Sequence, residues 1–341
     1  MSNTNLKEKL IELSELVDPV IKQLLTQDVE RMNADLAFYQ CSVGGKKIRP
    51  ALVILSGQVF GGDIKDLVYP AASAEILHNS TLIIDDIIDH SEFRRDEPTC
   101  WNKFGTSIAE CNSFTYVASV FTGLTHVNNS SKLVDLYSTT LKIIVDGEIK
   151  DILFERSGRE DERYVVEHRY KNITKNDYFE MISKKTAILL QTCCQAGAIC
   201  ANASHEQIEL IGNFGFDLGM AFQIRDDILD IFGDEKEFGK KIGKDIIEKK
   251  MGNFVILSAI DQLDEKGKGI LHNILESSNE VSDEDIATVT SLIETTNAKK
   301  DAEDVANLYI QDALWLLAKL PQNEYSDQLG AIAKYIVNRE K

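Results

Sequence analysis

The sequence predicts an all-α fold, one helical bundle spanning residues 1–341, on three observations. Only five prolines occur, and none lies between Pro98 and Pro321, so long helices are permitted across that whole region. No Asn-Gly or Asp-Gly turn separates two alternating β-branched runs; Asp146-Gly147 falls inside a helical pattern instead. Apolar residues recur at the helical period through most of the chain.

In chain order, residues 6–25 carry Leu10, Leu13, Val17, Val20, Ile21 and Leu24 at helical spacing. Residues 69–89, 107–125, 132–154, 176–201 and 205–232 are long and apolar on more than one face, as central helices are. Ser282 followed by Asp283, Glu284 and Asp285 is a capped helix start with acids in its first turn. Residues 302–320 and 325–339 close the chain as helices. Two stretches break the pattern. Residues 156–175 are charge-rich and expected as an exposed loop or short helix, and the glycine- and lysine-rich residues 233–250 as a mobile loop running into a helix. Neither is a domain linker, since similar helices continue on both sides, and no repeat is present.

The charge excludes several functions. With 37 Lys and Arg against 55 Asp and Glu the net charge is −18, and no basic run offers a nucleic acid or an anionic membrane a surface. No signal peptide and no membrane span is visible; the longest weakly polar stretch, residues 187–201, is too short and too polar to cross a bilayer. The six cysteines form no CxxC pair and read as reduced thiols. A soluble, cytoplasmic protein is expected.

Two acidic motifs stand out. LIIDDIIDH places Asp85, Asp86 and Asp89 in an apolar helix, and FQIRDDILDIFGD repeats the DDxxD pattern with Asp226, Asp227 and Asp230. Residues at i and i+4 share a helix face, so Asp85/Asp89 and Asp226/Asp230 are carboxylate pairs. Two carboxylates about 5 Å apart repel by roughly 3 kcal/mol at an effective dielectric near 20. A divalent cation removes that repulsion, and oxygen-only ligation suits Mg²⁺. A solvated acidic face explains one such motif readily, but not two, each embedded among Ile and Leu.

Basic segments supply the complement. GGKKIRP gives Lys46, Lys47 and Arg49 behind Gly44 and Gly45; Arg94 and Arg95 follow the first aspartate motif. Lys184, Lys185 and Thr186 interrupt an apolar helix, and Lys240, Lys241, Lys244, Lys249 and Lys250 populate the later loop. Each alone reads as a solvated surface group. Together with two metal-type carboxylate clusters they describe a site for two diphosphates, Arg forking phosphate and Lys acting as a point charge. GGKK is not a Walker A loop, which excludes the usual ATP site. His78 lies two turns before Asp85 on the same face, and is as compatible with a core histidine as with a ligand-binding one.

These segments, in this order from Gly44 to Lys250, resemble the trans-isoprenyl diphosphate synthases, the geranylgeranyl, farnesyl and longer polyprenyl diphosphate synthases. The resemblance implies a helical bundle of the isoprenoid synthase type with a central active-site cavity, and a homodimer. It implies that Asp85, Asp86, Asp89, Asp226, Asp227 and Asp230 hold Mg²⁺ on the allylic diphosphate, gripped also by Arg94, Lys185, Lys240 and Lys250. Lys46, Arg49, His78 and Arg95 would bind isopentenyl diphosphate, and Thr186 and Gln223 would lie beside the developing carbocation. The implied activity is a chain-elongating prenyltransferase that condenses isopentenyl diphosphate with allylic diphosphates.

The chain departs from the family pattern at Asp96, where glycine is usual, at Glu148, where glutamine is common, and around Lys250, which lacks the frequent Thr and Pro. Asp96 puts a negative charge beside the diphosphate grip. Bulky aromatics four or five positions before the first motif stop the tail at fifteen carbons in the family; here Thr81 and Ser80 stand there, with Leu77 a turn further back. A product of twenty carbons or longer is therefore expected. A class I terpene cyclase ionises the same substrates but has no need of GGKKIRP, and a non-catalytic regulatory subunit typically loses one aspartate motif.

Overall fold

The computed structural model describes residues 3–233, 243–277 and 279–338, and they are overwhelmingly helical. The first long helices are α1 (Asn3–Thr26), α2 (Ala34–Ser42), α3 (Ile48–Val59) and α4 (Ile64–Ile88), then α5 (Cys100–Phe104), α6 (Thr106–Leu124) and α7 (Ser130–Ile152). After α8 (Arg163–His168) come α9 (Lys175–Ile182), a π turn over Ser183–Ala187, α10 (Ile188–Cys200) and α11 (His205–Phe232). The chain ends through α12 (Lys244–Ile247), α13 (Phe254–Gln262), α14 (Glu265–Leu275), α15 (Asp283–Glu294), α16 (Ala298–Leu317) and α17 (Glu324–Asn338). The expected long helices are all present, and α15 starts with the Ser282/Asp285 capping box read from the sequence.

One expectation fails. A short antiparallel hairpin, β1 (Phe93–Arg94) with β2 (Glu97–Pro98), follows the first aspartate motif, pairing Phe93 with Pro98 and Arg94 with Glu97. Its turn residues Arg95 and Asp96 have φ of 55° and 63°, the pattern of a type I′ turn, for which Asn-Gly and Asp-Gly were the signals sought. Asp tolerates the left-handed region better than most residues, which is how the turn forms without glycine. Residues 156–175 form the expected loop with a short helix, α8, and two arginines tie the loop together. Arg156 donates to the carbonyls of Tyr170 and Lys171, and Arg169 to those of Arg156 and Gly158.

Contacts divide the chain into two compact units. The first comprises Met1–Leu141, Leu189–Phe216 and Ala313–Tyr335. Within it α4 packs against α1, α3 and α6, and its Leu67, Ala71, Ala72, Ala74, Ile76, Leu77 and Ile83 are fully buried. Buried Tyr137 ties this core by donating its hydroxyl to the carbonyl of Pro70, 2.8 Å away. The second unit comprises Lys142–Ile188, Asp217–Asp312 and Ile336–Lys341. Its core gathers Tyr178, Phe179, Phe254 and Tyr309, with ring centroids 5.6–6.4 Å apart. Among the described residues no helix is long and apolar enough to cross a membrane.

Candidate active site

In the first unit, α4 carries the first aspartate motif to its C-terminal end, where Asp85 and Asp89 are half-buried and Asp89 is the C-cap. Helix carbonyls already concentrate negative charge at that end, so the pair there favours a cation. Asp86 points differently. It is fully buried and takes a forked ion pair from Arg94, with Nε 3.0 and 3.1 Å from its two oxygens and Nη2 2.7 Å from Oδ1. Arg94, expected to grip a diphosphate, is thus oriented by a motif aspartate expected to hold a metal.

Ahead of α3, Gly44, Gly45 and Lys47 all take positive φ (88°, 142° and 50°), and Gly44 and Gly45 make that sharply turned loop possible. Arg95 lies against Gly45 and donates to the Gly44 carbonyl, which joins the hairpin to the GGKK loop. Lys47 is buried and turned inward to Glu75 and Asp18, at 3.7 and 3.2 Å, so it anchors the loop. Lys46 lies over the Tyr335 ring, 5.6 Å from its centroid. His78 is the centre of this arrangement. Burial pushes its pKa well below the usual histidine value, and Arg49, Arg95, Arg94 and Lys47 push it the same way. Cations scattered over the sequence therefore act together on one imidazole, two of them, Lys47 and Arg94, being themselves paired with carboxylates.

Ser80 and Leu77 are buried, whereas Thr81 is partly exposed. The Ser80 hydroxyl donates to the Leu77 carbonyl, and the Ser80 carbonyl accepts a 3.4 Å hydrogen bond from Ser113 of α6. Of the three positions expected to set chain length, Thr81 is the partly exposed one.

In the second unit the π turn displays Lys184, Lys185 and Thr186, and such turns commonly mark functional positions. Gly147 of α7 makes room for it, since a Cβ there would collide with the backbone nitrogen of Lys185. Lys185 Nζ lies 2.6 Å from both Glu148 and Asp151, and Lys250 Nζ lies 3.0 Å from Glu248 and 3.4 Å from Asp151. The Lys250 backbone is held in an isolated antiparallel bridge with Glu155. Thr186 donates its hydroxyl to Gln223 Oε1 at 2.9 Å, and Gln223 Nε2 donates to Asp227 Oδ1 at 3.1 Å.

The second motif is equally divided. Asp226 is half-buried. Asp227 is 2% exposed and also accepts the Tyr178 hydroxyl and the Phe254 backbone N–H, at 2.7 and 2.8 Å. Asp230 accepts the backbone N–H groups of Lys244 and Asp245, at 3.0 and 3.2 Å. Burial, and then the nearby Asp245 charge, push the pKa values of Asp227 and Asp230 well above the carboxylate range, against the pull of these donors.

Sequence reasoning missed Asp151, which bridges two lysines, and the half-buried Asp245. Asp151 had a signal: it lies three residues beyond Glu148, on the same helix face as the acid already noted. Asp245 had none: its place beside the second motif shows only in the fold, where the Asn253 amide donates to it at 2.8 Å. Lys240 lies outside the described residues.

Among the described residues no group of three or more His, Cys, Asp or Glu side chains forms a metal cluster. The donor chemistry nevertheless fits a hard divalent cation. Each motif offers oxygen donors only, and the partly exposed Asp85, Asp89 and Asp226 are the accessible ones.

The family model for polyprenyl synthetase matches residues 30–293. A short chain isoprenyl diphosphate synthase of Methanothermobacter thermautotrophicus is 32% identical over 97% of this chain and 98% of its own. A geranylgeranyl diphosphate synthase of Saccharolobus solfataricus is 30% identical over the whole of both. The crystal structure of a polyprenyl synthase from Caulobacter crescentus, complexed with calcium and isoprenyl diphosphate, superposes with a TM-score of 0.89. It is 25% identical and covers 100% of this chain and 98% of its own.

Proposed function

The chain belongs to the polyprenyl synthetase family, and on that premise we propose that it is a Mg²⁺-dependent prenyltransferase. It condenses isopentenyl diphosphate with allylic diphosphates, head to tail and trans, to a product of twenty carbons or longer. The observation that carries this reading is the joining of Arg95 to the GGKK loop that precedes Arg49, together with the electrostatic reach of both arginines to His78, on the helix that ends in Asp85 and Asp89. An anion site beside a carboxylate pair is what a diphosphate substrate requires.

Lys46, Arg49 and Arg95 bind the isopentenyl diphosphate group, and His78, kept neutral by its surroundings, offers a ring N–H rather than a charge. Arg94, Lys185, Lys250 and Lys240 bind the allylic diphosphate. Asp85, Asp86, Asp89, Asp226, Asp227 and Asp230 are the residues that would hold Mg²⁺, with Asp85, Asp89 and Asp226 the accessible members. Bound there, Mg²⁺ supplies charge neutralisation of the leaving diphosphate. The allylic C–O bond ionises, and the π bond of isopentenyl diphosphate attacks the cation. Loss of a proton to the departing diphosphate leaves an allylic chain five carbons longer.

Thr186 has a defined part in this. Its proton is committed to Gln223, so oxygen lone pairs are what the hydroxyl offers to a developing carbocation. Asp227 fixes which end of the Gln223 amide faces Thr186.

A homodimer is part of the reading, supported by α6, which leaves Ile108 and Phe114 44% and 76% exposed. The same holds for a cytoplasmic location and for residues 1–341 acting as one functional polyprenyl synthetase domain. The test is a product assay with labelled isopentenyl diphosphate, Mg²⁺ and allylic primers of five to twenty carbons. A ladder of prenyl alcohols reaching twenty carbons or more is expected. A cyclic hydrocarbon made without isopentenyl diphosphate would indicate a terpene cyclase, and no turnover a regulatory subunit.

A further inference from the structure

Lys185 and Lys250 are each held by two carboxylates, and Asp151 is common to both. Its Oδ2 lies 2.6 Å from Lys185 Nζ and 3.4 Å from Lys250 Nζ. Glu248 pairs with Lys250 and also with Lys244, at 3.0 Å each. Glu148 differs from these two: Lys185, at 2.6 Å, is the lysine with which it pairs, and its side chain is 13% exposed. Glu148 and Asp151 are three residues apart on α7 and reach Lys185 from one helix face. The close approach at Gly147 brings the π turn down beside them.

This geometry sets a condition on any anion that reaches Lys185. An ammonium has three donors, so an anion that reaches it joins Glu148 and Asp151 there and comes to lie directly beside Glu148, whose charge has little solvent to screen it. Asp151 cannot relieve this, being itself a carboxylate and 7% exposed. A diphosphate already neutralised by divalent cations meets a much smaller penalty, since its charge no longer opposes that of Glu148.

We propose that Glu148 is an electrostatic gate on Lys185, admitting a metal-complexed diphosphate and rejecting a metal-free one. The proposal rests on the diphosphate-binding reading of Lys185 and adds to it a residue that sets the form of the substrate. Glu148 acts through Lys185 and is a specificity-determining residue, not a catalytic one.

Calorimetric titration of inorganic diphosphate into the full-length protein tests the gate without turnover. In EDTA, Glu148→Gln is expected to bind at least tenfold more tightly than wild type, because the amide keeps a hydrogen bond to Lys185 and loses the charge. At saturating Mg²⁺ the two affinities are expected to converge within threefold. Glu148→Asp, which keeps the charge, is expected to follow wild type in EDTA, and thermal unfolding of all three confirms that they are folded. Equal affinities of wild type and Glu148→Gln in EDTA would overturn the gate, as would a tightening that persists unchanged in Mg²⁺. Turnover of primers by the wild type, measured in parallel, tests the proposed function separately. A calorimetric difference without turnover would leave the gate standing and remove the synthase reading.

Discussion

Asp226 and Asp227 are neighbours of one residue type in one motif, yet their surroundings give them different work, and alanine at each should separate the two. Asp227 accepts from Tyr178, Gln223 and the Phe254 N–H at 2.7, 3.1 and 2.8 Å, at 2% exposure. Asp227→Ala leaves the Tyr178 hydroxyl and the Phe254 N–H buried without their acceptor, at about 1–3 kcal/mol each. Relief of the repulsion with Asp245 offsets part of that, so a net loss of roughly 2–4 kcal/mol follows. At about 1.4 °C per kcal/mol for a chain this long, the melting temperature should fall by roughly 3–6 °C. Asp226 is half-buried, so Asp226→Ala should move the melting temperature by no more than about 1 °C while abolishing turnover. Asp227→Asn adds a finer test. An amide at 227 can present its NH₂ to Gln223, which must then reverse its own amide and donate to Thr186. The Thr186 proton would turn outward, towards the cation it should face with lone pairs, so kcat should fall more than KM changes. Circular dichroism melts and steady-state kinetics on the three variants decide the matter. Equal melting temperatures for Asp226→Ala and Asp227→Ala would refute the structural role assigned to Asp227.

Asp85→Ala should cut turnover by orders of magnitude and leave or slightly raise the melting temperature, since it removes one of two like charges at a helix C-terminus; unchanged turnover would end the metal assignment. Thr81→Phe should shorten the product, read as smaller prenyl alcohols. Ser80→Phe should chiefly destabilise, because Ser80 is 2% exposed beneath α6; an unaltered product from Thr81→Phe would show that the tail runs elsewhere. Burial, and then Asp312, push the Asp217 carboxyl up to about 6. The unfolded chain therefore ionises first, stability declines as pH rises from about 4 to about 6, and the deficit persists above that. Asp217→Asn should recover about 1 kcal/mol at pH 7.5, after discounting for a half-exposed carboxyl, and nothing at pH 4; a urea midpoint shifted equally at both would contradict it.

What the sequence disclosed and what it withheld divide along a physical line. Periodicity and absent prolines are local signals, and they located the longest helices, with α11 placed at His205–Phe232 to the residue, but not the shorter α2, α3, α13 and α14. The hairpin escaped because its turn uses Arg95 and Asp96 at positive φ, where composition points to glycine. Asp96 is exposed at the tip of that turn, where its φ of 63° is one that Asp tolerates better than most residues. The motifs were legible as lists of chemistry-bearing residues, but only part of the allocation of work within them was. Helical spacing already set the Asp85/Asp89 pair apart from Asp86, and the family pattern set Lys46 apart from Lys47; burial adds that Asp86 and Lys47 are turned inward, where each braces its neighbour. Asp86 fixes Arg94, Lys47 fixes the loop that presents Lys46 and Arg49, and Asp227 fixes the amide that orients Thr186. In each case a charged group of the motif is spent on positioning its neighbour. That accounts for runs of adjacent charges where a ligand alone would need fewer, and for why substitution within one motif should divide into losses of stability and losses of rate.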